Sequence, residues 1–165
     1  MAAGSTYTPI ATTALASSAT SYTFSSIPST YTDLVLVASG TSTNAYNSNL
    51  QFNGDTATNY SCTVVSGSGS AASSYRNSSQ TSMLIDYNGN FNSSNTSIII
   101  SILNYANTTT YKTALSRANN AAGGVDAVVG LWRSTAAINS IKMAIGGGYS
   151  YATGTTFTLY GIAAA

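Results

Sequence analysis

Short segments with apolar residues at every second position recur along the whole chain, separated by clusters of turn-forming residues. Tyr22 and Phe24 are two positions apart, as are Leu50 and Phe52. A period of two is the pattern of a strand with one face in a core, whereas an amphipathic helix needs apolar residues three and four positions apart. The chain therefore favours an all-β fold.

Ten segments fit short strands. One of them, 31–39 (YTDLVLVAS), is almost continuously apolar in its middle, as in a central strand covered on both faces. Two Ala-rich stretches, 10–19 and 114–122, also allow short helices, although their Ser and Thr compete for backbone hydrogen bonds. About ten short strands with turn signals between them predict an antiparallel β-sandwich that is jelly-roll-like. The ten segments are 22–24, 31–39, 50–52, 58–65, 81–87, 96–105, 108–118, 125–133, 138–146 and 154–162.

The N-terminal stretch differs from the rest of the chain. Residues 1–20 are small and polar, with Tyr7, Ile10 and Leu15 as the sizeable exceptions. Two interpretations stay open, a frayed terminus and an extended arm that becomes ordered on a neighbouring subunit. We predict the arm at residues 1–20 and a single β-sandwich domain at residues 21–165.

The composition excludes most catalytic chemistry. The chain has 5 Lys and Arg, 4 Asp, no Glu and no His, and charged residues make up 5% of it. Without His, neither a Ser-His-Asp triad nor a His-based general base can form. A single cysteine, Cys62, allows no intrachain disulfide and no CxxC metal site, and a net charge of +1 is too small to neutralise several phosphates. We therefore expect no enzyme activity, no cofactor, no metal and no nucleic-acid partner.

The four acidic residues, Asp33, Asp55, Asp86 and Asp126, fall in different candidate strands and turns. Hydrolysis of a glycosidic bond needs two carboxylates a few ångströms apart across a cleft. Asp33 and Asp126 both lie near strand starts, but nothing in the sequence pairs them. Solvated strand ends or turn caps are the favoured positions for all four, and we predict no catalytic residue.

No segment has the pattern of a membrane span or a signal peptide. The longest apolar stretch, 98–103 (IIISIL), is far shorter than the roughly 20 residues that a spanning helix needs. The N-terminus lacks a basic region followed by a continuous apolar one. We expect synthesis in the cytoplasm, no membrane contact, and a free Cys62 that acts as a small buried apolar residue.

Tyrosine is unusually frequent, with 12 residues beside the single Trp132. Tyrosine fills half-buried sheet faces and protein interfaces, and this is the favoured interpretation. Its flat ring can also stack on sugars. Tyr149 and Tyr151, beside the Gly146–Gly148 loop, are the best candidates for an exposed glycan-contacting pair.

Several blocks, in this order along nearly the whole chain, resemble a family of small β-rich virion proteins of tailed bacteriophages, including cyanophages. The most specific blocks are 22–37 (YTFSSIPSTYTDLVLV) and 52–61 (FNGDTATNYS), followed by 130–138 (GLWRSTAAI) and 158–162 (TLYGI). Members are described as virion, capsid-decoration (cement) or tail-fibre proteins. The resemblance implies a structural role and assigns no catalytic residue.

From this resemblance we expect a capsid decoration protein, made in the bacterial cytoplasm and assembled on the outside of the particle. Its partners would be the major capsid protein and further copies of itself, and a trimer suits the local three-fold positions of an icosahedral shell. The chain has 51 Ser and Thr residues, and a surface rich in them suits such packing because short side chains lose little entropy on contact. The alternative is a tail-fibre or head-fibre domain that binds host polysaccharide.

Overall fold

Twelve β-strands make up the regular structure of the described part of the chain. The computed structural model describes residues 6–120 and 123–163, and these residues contain no helix. All pairings between neighbouring strands are antiparallel, which confirms the predicted all-β fold. The strands are β1 (Tyr7–Ala14), β2 (Ser21–Phe24), β3 (Asp33–Gly40), β4 (Ser48–Phe52), β5 (Tyr60–Gly67), β6 (Ala72–Gln80), β7 (Met83–Leu84), β8 (Thr96–Leu103), β9 (Lys112–Asn120), β10 (Gly124–Trp132), β11 (Ile141–Ile145) and β12 (Thr156–Ile162).

The strands form two sheets of unequal size. The large sheet has eight strands in the order β1-β12-β3-β8-β9-β10-β5-β6, and the small sheet has four in the order β2-β11-β4-β7. Their inner faces pack together as a sandwich. The jelly-roll detail of the prediction is not confirmed, because a jelly roll distributes eight strands over its two sheets, whereas this chain divides twelve strands as eight and four.

The two strands that the sequence pattern does not predict, β1 and β6, are the two edges of the large sheet. The predicted N-terminal arm is not confirmed: Tyr7–Ala14 pairs along β12 of the same chain, with a register shift between Pro9 and Ala11. Thr8, Ala11 and Thr13 are half-buried, so β1 has a weak inner side that the small-residue composition conceals. Residues 1–5 of the predicted arm lie outside the described residues.

The two Ala-rich stretches contain strand and no helix where the structure describes them. Residues 10–14 belong to β1, and residues 114–120 belong to β9, where buried and exposed side chains alternate without exception. The helical alternative is therefore wrong for both. Tertiary pairing decides here, since Ala is compatible with either structure.

One continuous core joins the inner faces of the two sheets. Phe52 of the small sheet packs against Trp132 of the large one, with ring centroids 5.5 Å apart. At Gly130 the sheets approach so closely that a Cβ atom would lie 2.2 Å from the Sδ atom of Met83. Cys62 is buried and free, as predicted, in a smaller apolar cluster with Val64, Leu84 and Val128.

Candidate functional site

The outward side of the large sheet is an apolar surface, and we call it the open face. Among the described residues it lies largely in solvent, although Val35 of β3 is buried there, at 7% exposure. Alternation places Leu115 of β9 and Val129 of β10 side by side on it, directly paired in the ladder. Both side chains are large and apolar, yet they lie in solvent. The most exposed Val and Leu residues of this face are Val65 (59%), Val125 (56%), Val129 (56%), Leu103 (52%) and Leu115 (41%).

Cross-strand pairing makes the open face continuous. One ladder runs from Tyr160 through Val35 and Ser101 to Leu115 and Val129. The next ladder runs parallel to it, two residues along the strands, and has a similar composition. Its members, in spatial order, are Thr158, Val37, Ile99, Arg117, Ala127 and Val65.

Charge is almost missing from this surface. Among the described residues of the open face, Arg117 is the charged residue near the centre, while Asp33 and Arg76 lie toward its margins on β3 and β6. A shallow hollow beside Arg117 is lined by Ile99, Val125 and other small or apolar residues. A surface of this kind suits contact with another protein surface better than it suits a small polar substrate.

Asp86 and Asp126 are the two acidic residues that the structure brings together. The Nδ2 atom of Asn90 donates to Asp86 Oδ1 at 3.0 Å and to Asp126 Oδ2 at 2.7 Å, so one amide joins both carboxylates. The backbone N–H groups of Tyr87 and Asn88 also donate to Asp126 Oδ2, each at 2.9 Å. The pair therefore fixes the 86–90 loop against β10.

Both carboxylates of this acidic pair are buried, which is not the position of a catalytic pair. Asp86 has no exposed surface and Asp126 is 4% exposed, so neither carboxylate faces a cleft. Burial raises the pKa of Asp86 to about 6, and the neighbouring Asp126 adds to the increase, against the hydrogen bonds from Asn90 and Phe91. The arrangement organises a loop from buried carboxylates, whereas the sequence predicts solvated strand ends or turn caps.

Asp55 holds the most specific sequence block together. Its Oδ2 atom accepts hydrogen bonds from Trp132 Nε1 at 2.7 Å and from Asn59 Nδ2 at 2.9 Å, and its Oδ1 atom accepts the N–H of Ala57 at 2.8 Å. Burial raises the pKa of Asp55, but these three hydrogen bonds outweigh that effect and hold it below its usual value. The 52–61 block is thus a structural turn anchored to Trp132.

The structure does not bring Asp33 to Asp126. Asp33 begins β3 on the outward side and accepts the N–H of Asn104 at 2.6 Å, whereas Asp126 lies on the inner side of β10. Within the described part of the chain, no group of three or more His, Cys, Asp or Glu side chains is placed to hold a metal ion.

Lys112 is a buried cation that no sequence pattern singles out. Its side chain has no exposed surface, and its Nζ atom donates to the carbonyl oxygens of Thr110 at 2.7 Å and Thr135 at 3.2 Å. Burial lowers its pKa. The contacts tie two loops together at one end of β9, which is a structural role.

The predicted exposed pair Tyr149 and Tyr151 is wrong for Tyr151. Its ring has no exposed surface, packs edge-on against Phe91 and Phe157, and its hydroxyl donates to Ser48 Oγ at 3.2 Å. Backbone pairing of Tyr151 with Ala19 and Ser42 directs its ring into the core.

The aromatic neighbour of Tyr149 at the surface is Tyr46 instead. The two ring centroids are 5.8 Å apart, and 45% of Tyr46 is exposed. A Cβ atom at Gly146 would lie 2.6 Å from the Tyr46 ring, so glycine there lets the ring lie flat on the loop. Sequence spacing could not find this pair, because a hundred residues separate its members.

Comparisons with known proteins add no family. A scan against protein-family models matches none of them, and no curated protein matches the chain. The described residues contain no helix of the length and apolarity that a membrane crossing requires.

Proposed function

We propose that this chain is a structural protein of a bacteriophage virion that decorates the outside of the assembled capsid. The open face is the observation that carries the proposal. A chain that leaves five large apolar residues between 41% and 59% exposed on one sheet is built to contact other protein surfaces. The resemblance of residues 22–37 and 52–61 to phage virion proteins supports the same class.

The structural roles of the charged residues support a non-catalytic function. Asp86 and Asp126 are buried in a loop-fixing network, Asp55 anchors a turn, and Lys112 joins two loops. These groups are engaged in holding the fold. The proposed chemistry is therefore binding, without bond making or breaking.

The mechanism is thermodynamic linkage. A protein that binds the assembled capsid lattice, and not its free subunits, shifts the assembly equilibrium toward the shell and stabilises it against internal pressure. The proposed partners are the major capsid protein and further copies of this chain. The trimer expected from the three-fold positions of a capsid stays a prediction.

The test is to locate and count the chain on purified virions of the phage that encodes it. Decoration predicts hundreds of copies per particle by quantitative mass spectrometry and density over the whole shell in cryo-electron microscopy. A few copies with density at the tail or a vertex would contradict decoration in favour of a fibre. Absence of the chain from purified virions would contradict both.

The Tyr46–Tyr149 pair, in which Tyr46 is exposed and Tyr149 is half-buried, favours a second candidate, a fibre domain that binds host polysaccharide. Stacking of a sugar ring on Tyr46 predicts glycan binding that Tyr46→Ala and Tyr149→Ala each abolish. Tyr111→Ala is the matched control, because Tyr111 is 54% exposed but is not part of this pair. Equal loss in all three variants, or no binding of the wild type at about millimolar glycan, would exclude this candidate.

A further inference from the structure

The composition of β3 and β8 is that of strands buried on both faces. On β3 the run Leu34–Val37 is apolar at every position, and on β8 the run Ile98–Ile100 is as well. The inner members of both runs fill the core, but Val37 and Ile99 are paired side by side on the open face. Continuous apolar strands are typical of sheets covered on both sides. The sequence thus has the pattern of strands covered on both faces, but the described residues supply no second layer over Val37 and Ile99.

We infer that the open face packs against the open face of a second copy of the chain. Eight strands about 4.8 Å apart, rising about 3.3 Å per residue, give this face a projected area of roughly 800 Å². A stable interface of standard size takes about 800 Å² from each partner. The open face therefore matches, without any further element, the area that a stable dimer needs.

A second copy fits this surface in shape and in chemistry. A sheet face packs well against another sheet face about 10 Å away, with strand directions within about 30° of each other, and a second copy presents such a face with the same width and twist. Homodimer interfaces are also more apolar than transient ones. Arg117 lies near the centre of this face, so its aliphatic stem would pack in the interface while its guanidinium would need water or a polar group beside it.

When the same face of two copies packs together, the contact is isologous. Two subunits then cover each other's open face and leave none for a third. The inference therefore specifies a two-fold dimer in place of the expected trimer. It rests on the self-association part of the proposed function and concerns the chain alone in solution; in such a dimer the open face is buried, so contact with the capsid would fall to other surfaces of the chain. Its test is consequently separate from the location of the chain on a virion.

The decisive variant is Val129→Asp, measured by light scattering after size exclusion and by sedimentation. Val129 is 56% exposed in the monomer, so a charge there leaves the monomer core intact. In the proposed dimer the same charge would be buried at the centre of the interface. We expect the wild type to have twice the chain mass of 16.8 kDa and the variant to have that mass once. The dissociation constant should rise by at least about 100-fold, as for a hot-spot residue.

Thr23→Asp is the matched control. Thr23 is also an exposed β-branched strand residue, but it lies on the outward side of the small sheet. This variant should remain a dimer with the wild-type dissociation constant. Circular dichroism and thermal unfolding of both variants check that each is folded.

Three results would overturn the inference. They are a monomeric or trimeric wild type at ~100 μM, a folded Val129→Asp variant that remains dimeric, and equal dissociation of Val129→Asp and Thr23→Asp. A monomeric wild type that is nevertheless found on the capsid would overturn the dimer and leave the proposed function standing.

Discussion

The two outward faces of this sandwich follow opposite rules. On the small sheet, buried and polar positions alternate, as expected of an antiparallel sheet with one side in water. On the large sheet the outward positions include five exposed Val and Leu residues. The outward residues of β2, β4 and β11 in the small sheet are Ser21, Thr23, Asn49, Gln51, Lys142 and Ala144.

This difference shows that alternation reports the surroundings of a strand and not only its conformation. Both sheets bury the same kind of side chain inward, so the shared core does not distinguish them. Their outward faces differ because, in our proposal, one meets water and the other meets protein. Substitutions on the two sides of each sheet can test that assignment.

The largest effect is expected for an inner residue of β3 compared with its outward neighbour. Leu36 has no exposed surface, so Leu36→Ala should lower the free energy of unfolding by about 2–5 kcal/mol. Val37→Ala, one position along, should cost the isolated subunit less than about 1 kcal/mol but weaken the dimer. Urea unfolding below and above the dimer dissociation constant separates the two effects. Equal losses at low concentration would mean that the outward side of β3 is already covered within the subunit.

The next effect concerns pH and the dry inner side of the large sheet. Burial raises the pKa of Asp86 to about 6 in the folded protein, above the usual 3.8, so the folded state holds its proton more tightly than the unfolded state. The stabilisation from this group is full below about pH 4 and is lost as the pH rises through 6. The loss is on the order of 2–3 kcal/mol.

Asn at position 86 cannot titrate, so the difference in unfolding free energy between the wild type and Asp86→Asn changes with pH through Asp86. The pH-independent effect of the substitution adds only a constant to that difference. Asp55, whose pKa is lowered, contributes with the opposite sign and loses its stabilisation as the pH falls. Its contribution cancels in the difference because both proteins contain Asp55. A difference that does not change between pH 4 and pH 7 would show that water reaches Asp86.

The sequence predicts the strands that have an apolar side and fails at those that lack one. β8 and β9 alternate clearly and are predicted, whereas eight of the nine residues of β6 are exposed, so no burial pattern marks it. β6 exists because it pairs with β5 along its length, and pairing between distant residues leaves no local signal.

The candidate surface was partly visible in the sequence. The unbroken apolar run 34–37 predicts cover on both faces of β3, and that expectation leads to the open face. The sheet order, which places Val65, Val129 and Leu115 on the same side as Val37, could not be read from a single chain. Likewise Tyr151 could be placed inside the core only once its pairing with Ala19 was known.

The smallest effect is expected on the outward face of the small sheet, at Lys142. Its ladder neighbours there are Thr23 and Gln51, so the ammonium group has solvent and polar side chains around it. Lys142→Thr should change the free energy of unfolding by less than about 0.5 kcal/mol, because a surface strand position away from any buried contact tolerates substitution and Thr favours a strand. The dimer mass should not change. Urea unfolding could instead show that Lys142→Thr loses more stability, relative to the wild type, as the protein concentration rises. The small sheet would then also contact a second subunit, and the two outward faces would differ only in degree.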